Sequence, residues 1–320
     1  VGVAGLCAFA KRPRPEDLTL GDLDAVADFL LETYYQRKLG TYLSCVFMNA
    51  SFVQPKEWKE KLEEFTAQYL RAHRAKPAPR VAGSRCAFSG AEATSGLVRT
   101  HLPLFSGEGV VNFRPNGQTW IPAAGPVVVA IMFLPMACRR AEGRMLGILA
   151  DDPDLTVAFA RRFLEDNRRL IALALPTDRK LVHEGYEREL PMWDGGKKRY
   201  KFADVKGPRS FVVSELASIA ALAAPTYARP TPVALTCYLV SNSGQGPSLE
   251  IFDVPTGTVS FVALAGAPAT RAAWADIGKR FRPVDEANDE EVGPSRGRKR
   301  KASTIAGRAG WTRNKAFEDL

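Results

Sequence analysis

Residues 119–155 read TWIPAAGPVVVAIMFLPMACRRAEGRMLGILADDPDL, and this stretch decides the fold class. Every residue from 127 to 137 is apolar, which predicts a buried helix. The apolar run ends at Cys138 and contains Pro135, so it falls short of the roughly 20 residues a bilayer span needs. Residues 144–150 read as a strand. Asp151, Asp152, Pro153 and Asp154 then open a long helix running to residue 173. Leu155, Phe159, Phe163 and Leu170 fall on its inner side and Arg161, Arg168 and Arg169 on its outer side. Helix, strand and helix in one stretch give a mixed α+β class.

Working outward, Thr19 stands three residues before Asp22 as in a capping box, and Leu23, Val26, Leu30, Leu31 and Tyr34 follow at helical spacing. Residues 42–48 read as a buried strand. A helix is expected from Pro55, with Trp58, Leu62, Phe65 and Tyr69 on one face. Residues 80–120 are rich in Gly, Ser and Pro and read as irregular, with short strand-like pieces such as 110–113. A helix over 212–223 precedes three short antiparallel strands near 233–264, at 233–240, 249–254 and 258–264, with the polar turn NSGQGP at 242–247 between the first two. A short helix is expected over 271–279. Residues 1–284 thus read as a mixed α+β nucleic-acid-binding domain with irregular insertions, 285–310 as an acidic and then basic linker, and 311–320 as the start of a C-terminal region that continues outside this chain. The opening at Val1 leads us to expect an initiator Met and a short leading segment upstream.

The chain of 320 residues carries 44 Lys+Arg against 35 Asp+Glu, a formal charge of +9, and 46% of its residues are hydrophobic. That composition supports a core and excludes a disordered acidic chain, a collagen repeat and a disulfide miniprotein. Position sharpens the charge. Residues 285–294 carry −5 and residues 295–320 carry +6. Residues 71–99 hold Arg71, Arg74, Lys76, Arg80, Arg85 and Arg99 against Glu92, and residues 197–209 hold Lys197, Lys198, Arg199, Lys201, Lys206 and Arg209 against Asp204. Both runs contain Gly and Pro and read as loops able to follow a phosphate backbone. A solvated face is the competing reading of each run alone. Asn112 to Gln118 and Asn242 to Gln245 place amides on turns, where Asn116, Gln118, Asn242 and Gln245 are candidates for reading base edges. Turn chemistry is the competing explanation.

Catalytic signals are weak. His73, His101 and His183 lie apart, and no phosphate-binding loop or metalloprotease motif occurs. Asp151, Asp152 and Asp154 could hold a divalent metal, but their position before a helix favours capping. Cys7, Cys45, Cys86, Cys138 and Cys237 are odd in number and widely spaced, which fits a reducing cytoplasm. Cys86-Ala-Phe-Ser-Gly90 resembles half a zinc knuckle with Ser89 in the place of the second thiol, too few soft ligands for zinc. The expectation is no catalytic residue, no metal, no cofactor and no membrane partner.

Five stretches, taken in order, resemble one family: VGVAGLCAFAKRPRPEDLTLGDLDAVADFL (1–30), CVFMNASFVQP (45–55), CAFSG (86–90), residues 112–155, and YLVSNSGQGPSLEIFDVP (238–255). Together they resemble the large subunit of type I CRISPR surveillance complexes (Cascade), in the lineage named for its CXXC–CXXC region and found in type I-A and I-B systems. Two departures stand out. The first cysteine pair is reduced to Cys86, and residues 123–126 stand where the second pair would fall. The family's C-terminal helical region lies outside this chain or is supplied as a separate small subunit. The resemblance implies a noncatalytic protein that contacts the 5′ handle of the CRISPR RNA and the Cascade backbone subunits, recognises the protospacer-adjacent motif on double-stranded target DNA and helps open it. Lys197, Lys198, Arg199, Lys201, Arg74, Lys76 and Arg80 are the candidate phosphate contacts. A helicase-nuclease or transposition proteins are the expected downstream partners. A general nucleic-acid-binding protein, a scaffold and a metal-dependent nuclease remain the alternatives.

Overall fold

The computed structural model describes residues 1–35, 40–47, 50, 64–104, 119–174, 188–191, 197–200, 205, 207–222, 233–243, 246–266, 270 and 272–273. The chain divides into two compact units, one of Val1–Asp204 with Thr236–Asp253 and one of Val205–Leu235 with Val254–Leu320. The span read as a single domain over 1–284 therefore contains parts of both. Helices and strands are both present, so the α+β class holds. The linker and the tail, 285–320, lie outside the described residues.

The first unit is organised by α1 (Gly2–Ala10), α2 (Leu20–Tyr35), the short α3 (Gly40–Leu43), α4 (Gly125–Phe133) and α5 (Pro153–Ala174). The capping box at α2 is made: Asp22 N–H donates to Thr19 Oγ1 at 3.1 Å, and Thr19 N–H donates to the Asp22 carboxylate at 2.9 Å. Arg12 adds a further donor at 3.1 Å, and the Thr19 amide first and Arg12 next hold the Asp22 carboxyl down at about 2. At the start of α5, Asp152 caps: its Oδ1 accepts the Asp154 N–H at 2.9 Å, with Pro153 in the first helical position.

The apolar run becomes α4 followed by a 3₁₀ turn, Leu134–Ala137. A helix leaves its last carbonyls without helical partners, and here they lie in the core. Three side chains from three other helices fill that need. Tyr34 of α2 donates to Met132 O at 2.5 Å, and Tyr42 of α3 donates to Pro135 O at 2.6 Å. Asn167 of α5 reaches the carbonyls of Pro135, Met136 and Cys138 at 3.3, 3.1 and 2.9 Å. All three side chains are buried. Against this frame α1 packs closely: a Cβ on Gly2 would lie 2.3 Å from Ala130 O, and one on Gly5 2.6 Å from the Ala137 Cβ.

A four-stranded sheet runs in the order β3 (Arg139–Ala141), β4 (Arg144–Ala150), β7 (Leu235–Ser243), β8 (Gly246–Val254). β3 and β4 form an antiparallel hairpin whose two turn residues, Glu142 and Gly143, have φ of 50° and 74°, the left-handed pair that a tight hairpin turn requires. Two smaller antiparallel pairs are β1 (Ser95–Leu97) with β2 (Ile121–Ala123), and β5 (Arg188–Pro191) with β6 (Lys197–Tyr200). The second unit contains α6 (Pro208–Leu222) packed on α7 (Thr256–Gly266), and Val212, Leu216, Val259 and Val262 of these helices are buried.

Three expectations are corrected. Residues 42–47 form the end of α3 and tight turns rather than a strand, because the N–H groups of Cys45, Val46 and Phe47 bond back to Tyr42 and Leu43. Residues 258–264 belong to α7, since Pro255 O accepts the N–H groups of Thr258 and Val259 and starts a helix. Residues 197–200 are a paired strand, not a loop. Residues 55–63, 110–113 and 274–279 lie outside the described residues.

The burial of three carbonyls around one amide gives a stability prediction. Asn167→Leu keeps the volume and removes the donor, so unfolding in denaturant should shift to lower midpoint with a loss of about 3 kcal/mol or more. A loss below about 1 kcal/mol would show that the carbonyls find other partners.

Candidate nucleic-acid interface

The basic run after residue 70 leaves a π-helical turn, Thr66–Leu70, and crosses in front of α2. Asp24 and Asp28, one helical turn apart on α2, receive its cations. Arg71 pairs with Asp28. Arg74 is bidentate on Asp24 at 2.7 and 3.2 Å, and His73 Nε2 lies 2.8 Å from the same carboxylate. Arg74 first, then His73, hold the Asp24 carboxyl well below the ordinary carboxylate range, and Asp24 in turn raises Arg74. Arg71, Arg74 and Lys76, with Glu64 and Gln68, line an open groove of about 460 Å³. The groove therefore presents two guanidinium groups held by Asp24 and Asp28, with Lys76 and Glu64 beside them.

Arg80 stands apart from this set. Its guanidinium donates to Gly96 O at 2.6 Å and to the Tyr69 hydroxyl at 3.5 Å, and a Cβ on Gly96 would lie 2.8 Å from Arg80 Nε. This head group ties β1 to the 66–70 turn, and Arg80 is not among the side chains that line the groove. Beneath it, the His101 ring stacks on Tyr69 at 3.9 Å with 17° between planes. Burial first, and the charge of Arg80 second, push His101 down to about 3.

The second basic run is a strand. Register sets Arg199 across from Glu189, Lys198 across from Leu190 and Lys197 across from Pro191. Lys201 lies outside the described residues, as do Asn116, Gln118 and Gln245.

Asn242 is described, and its expected place on an exposed turn is corrected. It lies in β7, fully buried. Its N–H donates to Cys45 O at 2.7 Å, and its Nδ2 donates to Val46 O at 3.2 Å and to Arg99 O at 3.1 Å. Its amide joins three chain segments, and reading a base edge would require breaking them.

The Cys86 turn brings together the two places where the resembled family carries cysteine pairs. Burial alone would raise the Cys86 thiol, but the Ser89 hydroxyl and the N–H groups of Ala124, Phe88 and Ser89 bond to it and hold it below its ordinary value. One thiol, a hydroxyl and backbone amides do not fit zinc, which takes about four ligands from Cys, His or carboxylate. Among the described residues, no group of three His, Cys, Asp or Glu side chains is placed to hold a metal ion. Asp152 is bonded as a helix cap. Also among the described residues, no helix is long and apolar enough to cross a membrane.

One feature escaped the sequence reading. The Arg168 guanidinium lies 4.7 Å over the Phe9 ring and 5.0 Å over Phe29, a cation–aromatic stack at the surface of α5. Arg168 is legible as an outward cation, but its partners come from distant helices. The chain matches no family model, no curated protein and no solved structure.

Two predictions follow from these side chains. Asn242→Ala should lower stability by about 2 kcal/mol in denaturant unfolding, and a loss below about 0.5 kcal/mol would show that the Val46 and Arg99 carbonyls find other partners. His101 folds neutral and unfolds with an ordinary value near 6.5, so the unfolded chain binds the extra proton between pH 6.5 and about 3. Stability contributed by neutral His101 is full above pH 6.5 and falls with pH across that window by up to about 1.4 kcal/mol per unit. His101→Phe should flatten the pH–stability curve there relative to the parent, and parallel curves would reject the assignment.

Proposed function

We propose that the chain is the noncatalytic large subunit of a CRISPR RNA-guided DNA-targeting complex, acting in the cytoplasm. It contacts the 5′ handle of the CRISPR RNA, recognises the protospacer-adjacent motif on duplex DNA, and docks on the Cascade backbone subunits. One observation carries this reading: five stretches that resemble the family occur in its order between residues 1 and 255. In such systems base pairing reads the target, while protein reads a short duplex motif and the backbone.

The groove of Arg71, Arg74 and Lys76 supports the backbone part of the proposal. Exposed ion pairs of this kind are worth about 0–1 kcal/mol, so a phosphate can compete with Asp24 or Asp28 for a cation already held in position. Lys197, Lys198 and Arg199 would supply a second set of contacts from β6. A general nucleic-acid-binding protein shares these cations but has no reason to hold one RNA species.

Sequencing the RNA that accompanies the purified full chain separates the two, because the proposal expects repeat-derived 5′ ends and a mixture of cellular RNA would overturn it. In the same preparation, replacing Lys198 and Arg199 with Ala should reduce the magnitude of the salt slope of DNA binding by about two. An unchanged slope would remove both residues from the contact set.

A further inference from the structure

The two edges of the four-stranded sheet are built differently. β3 is three residues long and carries Arg139 and Arg140, features that discourage pairing with another chain. β8 is nine residues long, carries no Lys or Arg, and has its one proline, Pro247, next to its start. No proline interrupts residues 248–254, so the N–H groups that alternate to the outer side of this edge strand are all donors.

Exposure singles out the same segment. Residues 247–251 are all exposed, which means side chains on both faces of the strand stand in solvent. Leu249 and Ile251, on one face, are 47% and 53% exposed. Two adjacent branched aliphatic side chains on an open strand present apolar surface that pairing with another strand would cover.

The charge of this edge is opposite to that of the chain. Its ionised side chains are Glu250 and Asp253. Arg144 bonds Glu250 at 2.5 Å and Glu142 at 3.3 Å, so one cation is shared between two carboxylates. Asp253 is held by the Thr236 hydroxyl at 2.9 Å. An acidic edge repels phosphates and attracts Lys and Arg. Pairing β8 with β8 of a second copy would bring four carboxylates together.

We propose that β8 is a docking edge for an extended, lysine- or arginine-bearing segment of a partner protein, which adds a strand beside residues 248–254, covers Leu249 and Ile251, and meets Glu250 with its cations. Main-chain hydrogen bonds supply affinity in this mode, and alternate side chains supply selectivity. This inference stands independently of the proposed nucleic-acid contacts.

The test uses the full chain and a fluorescent peptide of about ten residues alternating valine and lysine. Its comparison peptides carry glutamate for lysine, or N-methyl groups on alternate amides. Anisotropy should show the lysine peptide binding about tenfold or more tightly than the glutamate peptide, with loss of binding on N-methylation. Amide exchange should slow within 247–254. Glu250→Lys, at an exposed position, should reverse the preference between the two charged peptides, and Leu249→Lys with Ile251→Lys should abolish binding. Equal binding of the N-methylated peptide, protection elsewhere, or an unchanged preference in Glu250→Lys would overturn the proposal. So would concentration-dependent self-association removed by Leu249→Lys, which would assign the edge to a second copy.

Discussion

The carbonyl groups at the end of the apolar helix α4 set the constraint on which the first unit depends. They lie in the core, and a buried carbonyl left without a partner costs about 1–3 kcal/mol. Tyr34, Tyr42 and Asn167 meet them from α2, α3 and α5. A hydrogen bond fixes direction as well as distance, so these contacts set the rotation of three helices about a fourth. Burial raises both tyrosine hydroxyls well above their ordinary value, which keeps them protonated donors across physiological pH. Once that frame is fixed, the glycines of α1 let its backbone approach where any side chain would collide.

Much of this frame was legible because its signals are local. The capping box at Thr19 and Asp22, the strand over 144–150 and the Pro153 helix each depend on neighbours within a few residues. Asn167 was legible in principle, since it follows Phe159 and Phe163 at four-residue spacing and so occupies the buried stripe of α5. Helix α1 gave no such signal. It is apolar or small on every side, so no period separates an inner from an outer face. Residues 258–264 alternate loosely and are short, and a period alone does not separate strand from helix there. Pro255 decided the outcome through two hydrogen bonds.

The candidate interface was half legible for a related reason. Counting cations located both basic runs, but a count carries no information about where each head group is bound. Arg80 and Arg74 are six residues apart in one run, yet Arg80 bonds a backbone carbonyl in β1 while Arg74 lines the groove. Asn242 shows the same limit. The turn sequence that follows it suggests exposure, whereas its partners Val46 and Arg99 are supplied by segments far away in sequence. Nonlocal bonds of this kind decide whether a polar side chain faces a ligand or the protein.

Charge in this chain is better treated as a set of local fields than as a sum. At an ionic strength near 0.15 M, screening acts over about 8 Å, so a surface responds to the charges within that distance and hardly to the total. The groove sets Arg71, Arg74 and Lys76 beside Glu64 and against Asp24 and Asp28, so its field is mixed, whereas the edge at Glu142, Arg144, Glu250 and Asp253 holds three carboxylates around one cation. A polyanion at the groove has to displace Asp24 or Asp28 from its cation, and at the edge it meets an excess of carboxylates. A net charge of +9 therefore does not give every surface of the chain one sign.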